Sequence, residues 1–191
     1  MKRVLLVNAS PVKNGSVSKM VNRYRDTLSK QGKVSVQEIF INDMKIEPCK
    51  GCMLCRKGKA CKIEDDTGAL LEMLKVSDEV VIGMPVYWAN IPGHLKNFFD
   101  RSVSSMMDDS DKLPKGLMKG KTAVLLLSLN TSPIPDFFAG ESRKARGAIK
   151  EIFRYSGIRL RGTAVNKGAK GKKQLEEKTL GKIDSLAGST R

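Results

Sequence analysis

Cys49, Cys52, Cys55 and Cys61 are the only cysteines of the 191-residue chain, and they follow one another as C-x2-C-x2-C-x5-C. Thiolates two residues apart in a turn can aim at one centre. Three of them with a fourth close by is how a chain holds a cubane iron–sulfur cluster, the leading expectation for this run. Tetrahedral zinc is the rival, although structural zinc sites more often present two C-x2-4-C pairs separated by a longer gap. Free or redox-switching thiols are the third reading. A disulfide framework suits small secreted chains, and the apolar run after Met1 ends at Asn8, too short for a secretory signal. Gly51 and Gly58 give the backbone freedom to wrap a compact group. Lys50, Arg56, Lys57, Lys59 and Lys62 surround it with positive charge, which favours the reduced, more negative state of a cluster.

Two further segments carry chemistry. Asn8-Ala9-Ser10-Pro11-Val12-Lys13-Asn14-Gly15-Ser16-Val17-Ser18 leads from an apolar run into an amphipathic pattern. A loop with hydroxyls, Gly and Lys at a helix N-terminus offers backbone N–H groups and a positive dipole end, the ingredients of a phosphate cradle. The G-x-G-x-x-G and G-x-x-x-x-G-K-[ST] patterns are both absent, and the bland alternative is a helix cap with no ligand. The second segment, Gly83 to Gly93, holds Pro85, Val86, Tyr87 and the only Trp, Trp88. Aromatic side chains at the end of a strand are well placed to lie against a flat ring. Packing on the neighbouring helix is the alternative.

The elements that must position these loops read as alternating strands and helices. Val4–Val7, Val34–Phe40, Glu79–Gly83, Thr122–Ser128 and Ile158–Asn166 are expected strands. Met20, Val21, Tyr24 and Leu28 mark one helix face. Thr67–Lys75 (with Asp66 as N-cap), His94–Ser102, Ser142–Tyr155 and a terminal helix at about 174–187 complete the set. The order implies an α/β three-layer sandwich, flavodoxin-like, with a five-stranded parallel sheet of order 2-1-3-4-5. One domain over 1–191 is expected, with a cysteine-rich insertion at about 47–64 after strand 2 and an ordinary loop at Asp108–Gly120. In such sheets ligands sit beyond the carboxyl ends of the strands, where all three segments lie.

The chain is 40% hydrophobic and carries a formal net charge of +15. No apolar stretch is long enough to span a bilayer, so no membrane association is expected and the cytoplasm is the expected compartment. The basic run Lys167–Lys173 lacks interleaved aromatics, and no nucleic-acid reading motif is present, so the charge reads as a solvated basic face.

Three features together resemble the NAD(P)H-dependent FMN reductase family. They are Ser-Pro-x-Lys-Asn-Gly-Ser at 10–16, Pro-Val-Tyr-Trp-x-x-x-Pro-x-x-Leu-Lys-x-Phe-x-Asp-Arg at 85–101, and the cysteine run followed by Asp65-Asp66. The compact four-Cys run is similar to that of the iron–sulfur flavoproteins within it. The resemblance covers about residues 2–165. It implies FMN as cofactor, with Ser10, Lys13, Gly15, Ser16, Val17 and Ser18 in the phosphate loop and Pro85, Val86, Tyr87 and Trp88 in the ring loop. It implies a [4Fe–4S] cluster on Cys49, Cys52, Cys55 and Cys61. Val17 stands where the family usually has a hydroxyl, which leaves that contact to backbone. The implied activity is electron transfer between FMN and the cluster, with an acidic ferredoxin or NAD(P)H as redox partner, in a homodimer or homotetramer. A cluster-free FMN or quinone reductase and a flavodoxin-like carrier are the alternatives.

Some residues invite a role that the pattern does not support. His94, the only histidine, opens a helix and reads as a helix-end residue. Asp108-Asp109-Ser110-Asp111 lacks calcium-loop spacing and reads as an exposed acidic turn. Of the nine methionines, Met84 beside Pro85 is the one expected near a ring.

Overall fold

A computed structural model describes all residues except 33, 109, 111, 112, 172, 173 and 191. Five strands, β1 (Lys2–Asn8), β2 (Val34–Phe40), β3 (Glu79–Pro85), β6 (Thr122–Ser128) and β7 (Arg159–Asn166), form one parallel sheet. Their order is β2-β1-β3-β6-β7, the expected 2-1-3-4-5 arrangement. Helices α1 (Ser16–Ser29) and α6 (Glu177–Gly188) lie on one face. Helices α2 (Thr67–Val76), α3 (Gly93–Met106) and α5 (Glu141–Ser156) cover the other.

Side-chain alternation along the strands explains the two layers. Val4, Leu6, Val81, Val124 and Leu126 pack against Val17, Met20, Val21 and Tyr24 of α1. Their neighbours Leu5, Val7, Val80, Ile82 and Leu125 pack against Leu70, Leu95, Phe99 and Phe153. Both faces are buried, so the strands read as continuous apolar runs. Gly83 is required by this packing, since a Cβ there would lie 2.5 Å from Val21 Cγ2. The gap lets α1 approach the end of β3.

Two elements depart from the expectations. The stretch read as a loop at Asp108–Gly120 contains a short antiparallel pair, β4 (Met107–Asp108) with β5 (Lys115–Gly116). Each strand is two residues long, too short for periodicity to register. The acidic turn lies partly outside the described residues, at 109 and 111; Asp108 Oδ1 accepts from Ser110 N at 3.0 Å. The Lys167–Lys173 run is likewise described only to 171. Helix α4 (Pro133–Ala139) was also not anticipated. Its signature is Ser132 at the N-cap and Pro133 at the first turn. Among the described residues no helix is long and apolar enough to cross a membrane.

At the amino edge of the sheet, β3 starts with a fully buried carboxylate. Glu79 accepts from Tyr24 Oη at 2.7 Å and from Thr122 Oγ1 at 2.8 Å. Arg161 and Lys2 compensate its charge. Thr190 joins the same network and ties the segment after α6 to it. Burial alone pushes the Glu79 carboxyl up, but hydrogen bonds from Tyr24, Arg161 and Thr122 and the Arg161 charge outweigh it and hold it below the ordinary value. Its stabilisation is therefore complete above the unfolded-state value of about 4.3 and is lost as pH falls through the lower folded value. Replacing Glu79 by Gln should cost about 3 kcal/mol at neutral pH, because it leaves the buried Arg161 charge uncompensated. Thermal unfolding followed from pH 7 down to pH 3 should show a shallower loss in Glu79→Gln than in the wild type. Parallel curves would place the acid sensitivity elsewhere.

Candidate functional site at the carboxyl edge of the sheet

The loop after β1 is shaped by its own hydroxyls. Asn8 is buried, donates to Ser18 Oγ at 2.9 Å and accepts from Ser10 N at 3.1 Å. Ser10 Oγ accepts from Val12 N at 3.1 Å, and Ser18 Oγ donates to Val12 O at 3.3 Å. Gly15 N also donates to Val12 O, at 3.1 Å. Ser10 and Ser18 therefore fold the loop rather than face outward. Helix α1 starts after Gly15 with no side-chain cap and no acid in its first turn. Its first intrahelical bond is Lys19 N to Gly15 O. The N–H groups of Ser16, Val17 and Ser18 thus have no intrahelical acceptor, and the dipole there is unopposed. The Val17 side chain is buried in the core, so it offers backbone only.

Lys13 differs from the expectation. Its Nζ pairs with Asp43 at 2.6 Å and sits over the Phe40 ring, on the β2 side of the loop. Both partners are exposed, so the pair contributes little and competes weakly for the ammonium.

The loop after β3 is a tight turn. Tyr87 N donates to Asn90 O at 3.2 Å and Asn90 N returns the bond to Tyr87 O at 2.9 Å. The two residues between, Trp88 and Ala89, have φ of 51° and 59°. Left-handed backbone at both central positions is the geometry of a type I′ turn, which favours Asn and Gly. Here it carries a Trp that is 100% exposed beside a Tyr that is half exposed. The packing alternative fails for Trp88, which touches no helix. Val86 is different: its side chain is buried and its N–H donates to Ser128 O at 2.9 Å, so the residue anchors the turn to β6. Met84 has no exposed surface and belongs to the core, which corrects the expectation that it faces a ring. Ala9 N donates to Gly83 O at 2.7 Å and ties this loop to the first one.

A third wall follows β6. Ile134, Phe137 and Phe138 on α4 are about 70–80% exposed, at 73%, 69% and 78%. The helix is held by the buried Asp136, which accepts from Ser142 N and Ser142 Oγ and pairs with Lys167 at 2.7 Å. The sequence reading missed these three apolar side chains.

The cysteine loop rises from the same edge, between the Ile41–Asp43 turn and α2. Its feet are pinned by two carboxylates. Asp66 accepts from Lys45 N at 2.7 Å, while Asp65 accepts from Glu47 N at 2.8 Å and from Thr67 N at 3.0 Å. Asp66 holds the expected N-cap position of α2, but its carboxylate is engaged across the loop, and the first N–H of the helix, Thr67 N, is met by Asp65 instead. Asp65 pairs with Arg101 of α3 at 2.8 Å, with side-chain exposures of 0% and 3%. Arg101 also donates to Glu47 O and Ile63 O. Burial works to raise the Asp65 carboxyl, but Arg101 and the Glu47 and Thr67 N–H groups hold it far below the usual range. His94 contacts Met44 O at 3.0 Å, a helix-end bond that steadies the approach to the loop.

All four thiols are free, and Cys49, Cys52, Cys55 and Cys61 line a single hollow of about 140 Å³. Lys50, Arg56 and Arg101 share its wall. Among the described residues, no three Cys, His, Asp or Glu side chains converge as ligands of one metal ion.

A family model described as NADPH-dependent FMN reductase matches residues 2–132. An iron-sulfur flavoprotein of Methanosarcina thermophila is 32% identical over 97 residues, 51% of this chain and 50% of that one. An FMN-dependent NADH:quinone oxidoreductase of Hydrogenovibrio crunogenus is 31% identical over 138 residues, 66% and 68% of the two chains. The chain spans about half the length of the first curated relatives it matches. The crystal structure of an FMN-dependent NADH-azoreductase from Bacillus anthracis in complex with FMN shares the fold, with a TM-score of 0.80, 16% identity and 98% of each chain covered.

The strained turn makes a separable prediction. Trp88→Gly relieves one left-handed non-Gly residue and removes no buried contact, so it should stabilise the fold by about 1 kcal/mol. A higher midpoint in thermal or urea unfolding would show this. A clear destabilisation would mean that the Trp88 ring is packed in solution.

Proposed function

The chain belongs to the NADPH-dependent FMN reductase family, and on that premise we propose that it is an FMN-dependent oxidoreductase that exchanges electrons between FMN and a [4Fe–4S] cluster. One observation carries the FMN reading: donor groups without partners at the start of α1 lie one hydrogen bond, Ala9 N to Gly83 O, from a strained and exposed aromatic turn. The first suits a phosphate and the second a flat ring. FMN supplies one- and two-electron redox chemistry when bound.

In this reading Ser16, Val17 and Ser18 hold the phosphate through backbone N–H, with the Ser16 hydroxyl as a further donor. Ser10 and Ser18 keep the loop in shape, Gly15 allows close approach, and Lys13 adds charge from the rim. Tyr87 and Trp88 flank the ring. The N–H groups of Trp88 and Ala89, which stand outside the turn's own hydrogen bonds, serve its polar edge. Pro85 and Val86 fix the turn.

The four-thiol hollow fits a multi-iron group better than zinc. A zinc ion needs its sulfurs drawn to about 2.3 Å from one centre. The cysteines here rim a hollow instead. The iron-sulfur flavoprotein relatives support the same choice. The basic side chains around the loop suit an acidic ferredoxin as redox partner through electrostatic steering, and NAD(P)H is the other donor class. A homodimer or homotetramer in the cytoplasm, with residues 1–191 as one FMN-binding domain, completes the proposal. Val12, Trp88, Phe137 and Phe138 are exposed apolar side chains in the loops that follow β1, β3 and β6, and a second copy would cover them. The second reading is a cluster-free NAD(P)H-dependent reductase. It is favoured by the quinone oxidoreductase relative.

Protein purified without oxygen and reconstituted with FMN, iron and sulfide tests both. Chromatography of the released flavin should give FMN, and iron and sulfide assays should give one cluster per chain. Cys52→Ala should lose iron and keep FMN. Trp88→Ala should weaken FMN retention by about 1–3 kcal/mol, the range for aromatic stacking on a flat base. Flavin without iron in the reconstituted wild type selects the cluster-free reductase. A chain that takes up no flavin defeats both readings.

A further inference from the structure

Arg101 is the one basic group on the wall of the cysteine hollow whose side chain is buried. Its side chain is 3% exposed, whereas Lys50 and Arg56 are exposed. Charges at the surface are screened by salt within about 8–10 Å, and a buried charge is screened much less. The guanidinium is also held in place. Nη1 donates to Glu47 O and Asp65, and Nη2 to Ile63 O and Asp65, so both feet of the loop hang on one side chain. Its last donor, Nε, is buried and has no partner among the described atoms. Cys61 lies within electrostatic reach of the group.

The arrangement is directional. Arg101 lines the hollow and its partner Asp65 does not. The positive member of the buried ion pair is therefore the one at the wall of the thiol hollow. Asp100, the one carboxylate on that wall, is exposed and paired with Lys96 at 2.5 Å.

Resting on the reading that the four cysteines hold a cluster, we propose that Arg101 is a positioning residue for it. It staples the loop shut around the hollow, and its buried charge favours the form of the cluster carrying one more electron. Asp65 opposes that bias while fixing the guanidinium. The two residues therefore act on the loop in the same sense and on the potential in opposite senses. A purely structural role could not produce that split.

The test uses the full chain, loaded with FMN, iron and sulfide without oxygen, and redox titration of the cluster followed by electron paramagnetic resonance. In Arg101→Gln the ratio of reduced to oxidised cluster at fixed potential should fall roughly tenfold, a shift of about 59 mV to more negative potential for a one-electron couple. Asp65→Asn should shift the potential the other way. Arg101→Lys should stay nearer the wild type than Arg101→Gln. Shifts of one sign in Arg101→Gln and Asp65→Asn, or none, overturn the inference with the cluster reading intact. Should Arg101→Gln fail to hold iron, recovery of iron in Arg101→Lys supports the charge, and no recovery reduces the residue to a geometric staple and overturns the electrostatic part. Should Asp65→Asn fail to hold iron, the sign of the Arg101→Gln shift decides alone. A wild-type protein that takes up FMN but no iron defeats the cluster reading and this inference together, an outcome visible before any variant is made.

Discussion

Because all five strands run parallel, every loop that follows a strand leaves the same edge of the sheet. The arrangement of the chemistry depends on that constraint. The register pairs Asn8 of β1 with Gly83 of β3, and Pro85 of β3 with Ser128 of β6. The loop that starts α1, the aromatic turn and the wall carrying Phe137 and Phe138 therefore stand side by side. The cysteine loop joins them because β2 pairs with β1 in the same direction. Residues spread over some 130 positions reach one edge through backbone hydrogen bonds alone. Ala9 to Gly83 and Val86 to Ser128 then fasten neighbouring loops to one another.

Much of this was legible in the sequence because both faces of the sheet are covered. Apolar runs such as Val80-Val81-Ile82 and Leu125-Leu126-Leu127 announce buried parallel strands, and the stripe Met20, Val21, Tyr24, Leu28 announces the face of α1. What escaped was short or long-range. The β4–β5 pair has no periodicity to read. Helix α4 hides its apolar residues in a seven-residue segment, where an exposed Phe pair resembles a buried one. Asp65 and Asp66 are adjacent and chemically identical, and only the chain crossing at Lys45 and Glu47 decides what each carboxylate holds. Arg101 stood inside a recognised motif, yet its partner lies 36 positions away. Lys13 shows the converse. Its place in the motif suggested an anion, and the fold placed Asp43 within its reach.

The site and the scaffold differ in how fully their polar groups are satisfied. At the amino edge, Glu79 is buried with its hydrogen-bond capacity filled and its charge compensated by Arg161 and Lys2. Such a network holds the sheet to α1 and to the segment after α6, and it leaves nothing for a ligand. At the carboxyl edge the balance is reversed. The N-terminus of α1 is uncapped, Trp88 and Ala89 sit in left-handed backbone, and aromatic rings face water. Each of these costs stability, and such strain persists where the surroundings over-determine it. They gather at one edge because the rigid part of the molecule, two covered sheet faces and a closed ionic network, leaves that edge no freedom to relax. A ligand that carries an anionic group for the helix and a flat ring for the turn would satisfy both together. That shared deficit is the physical argument for treating the loop before α1 and the aromatic turn as one site.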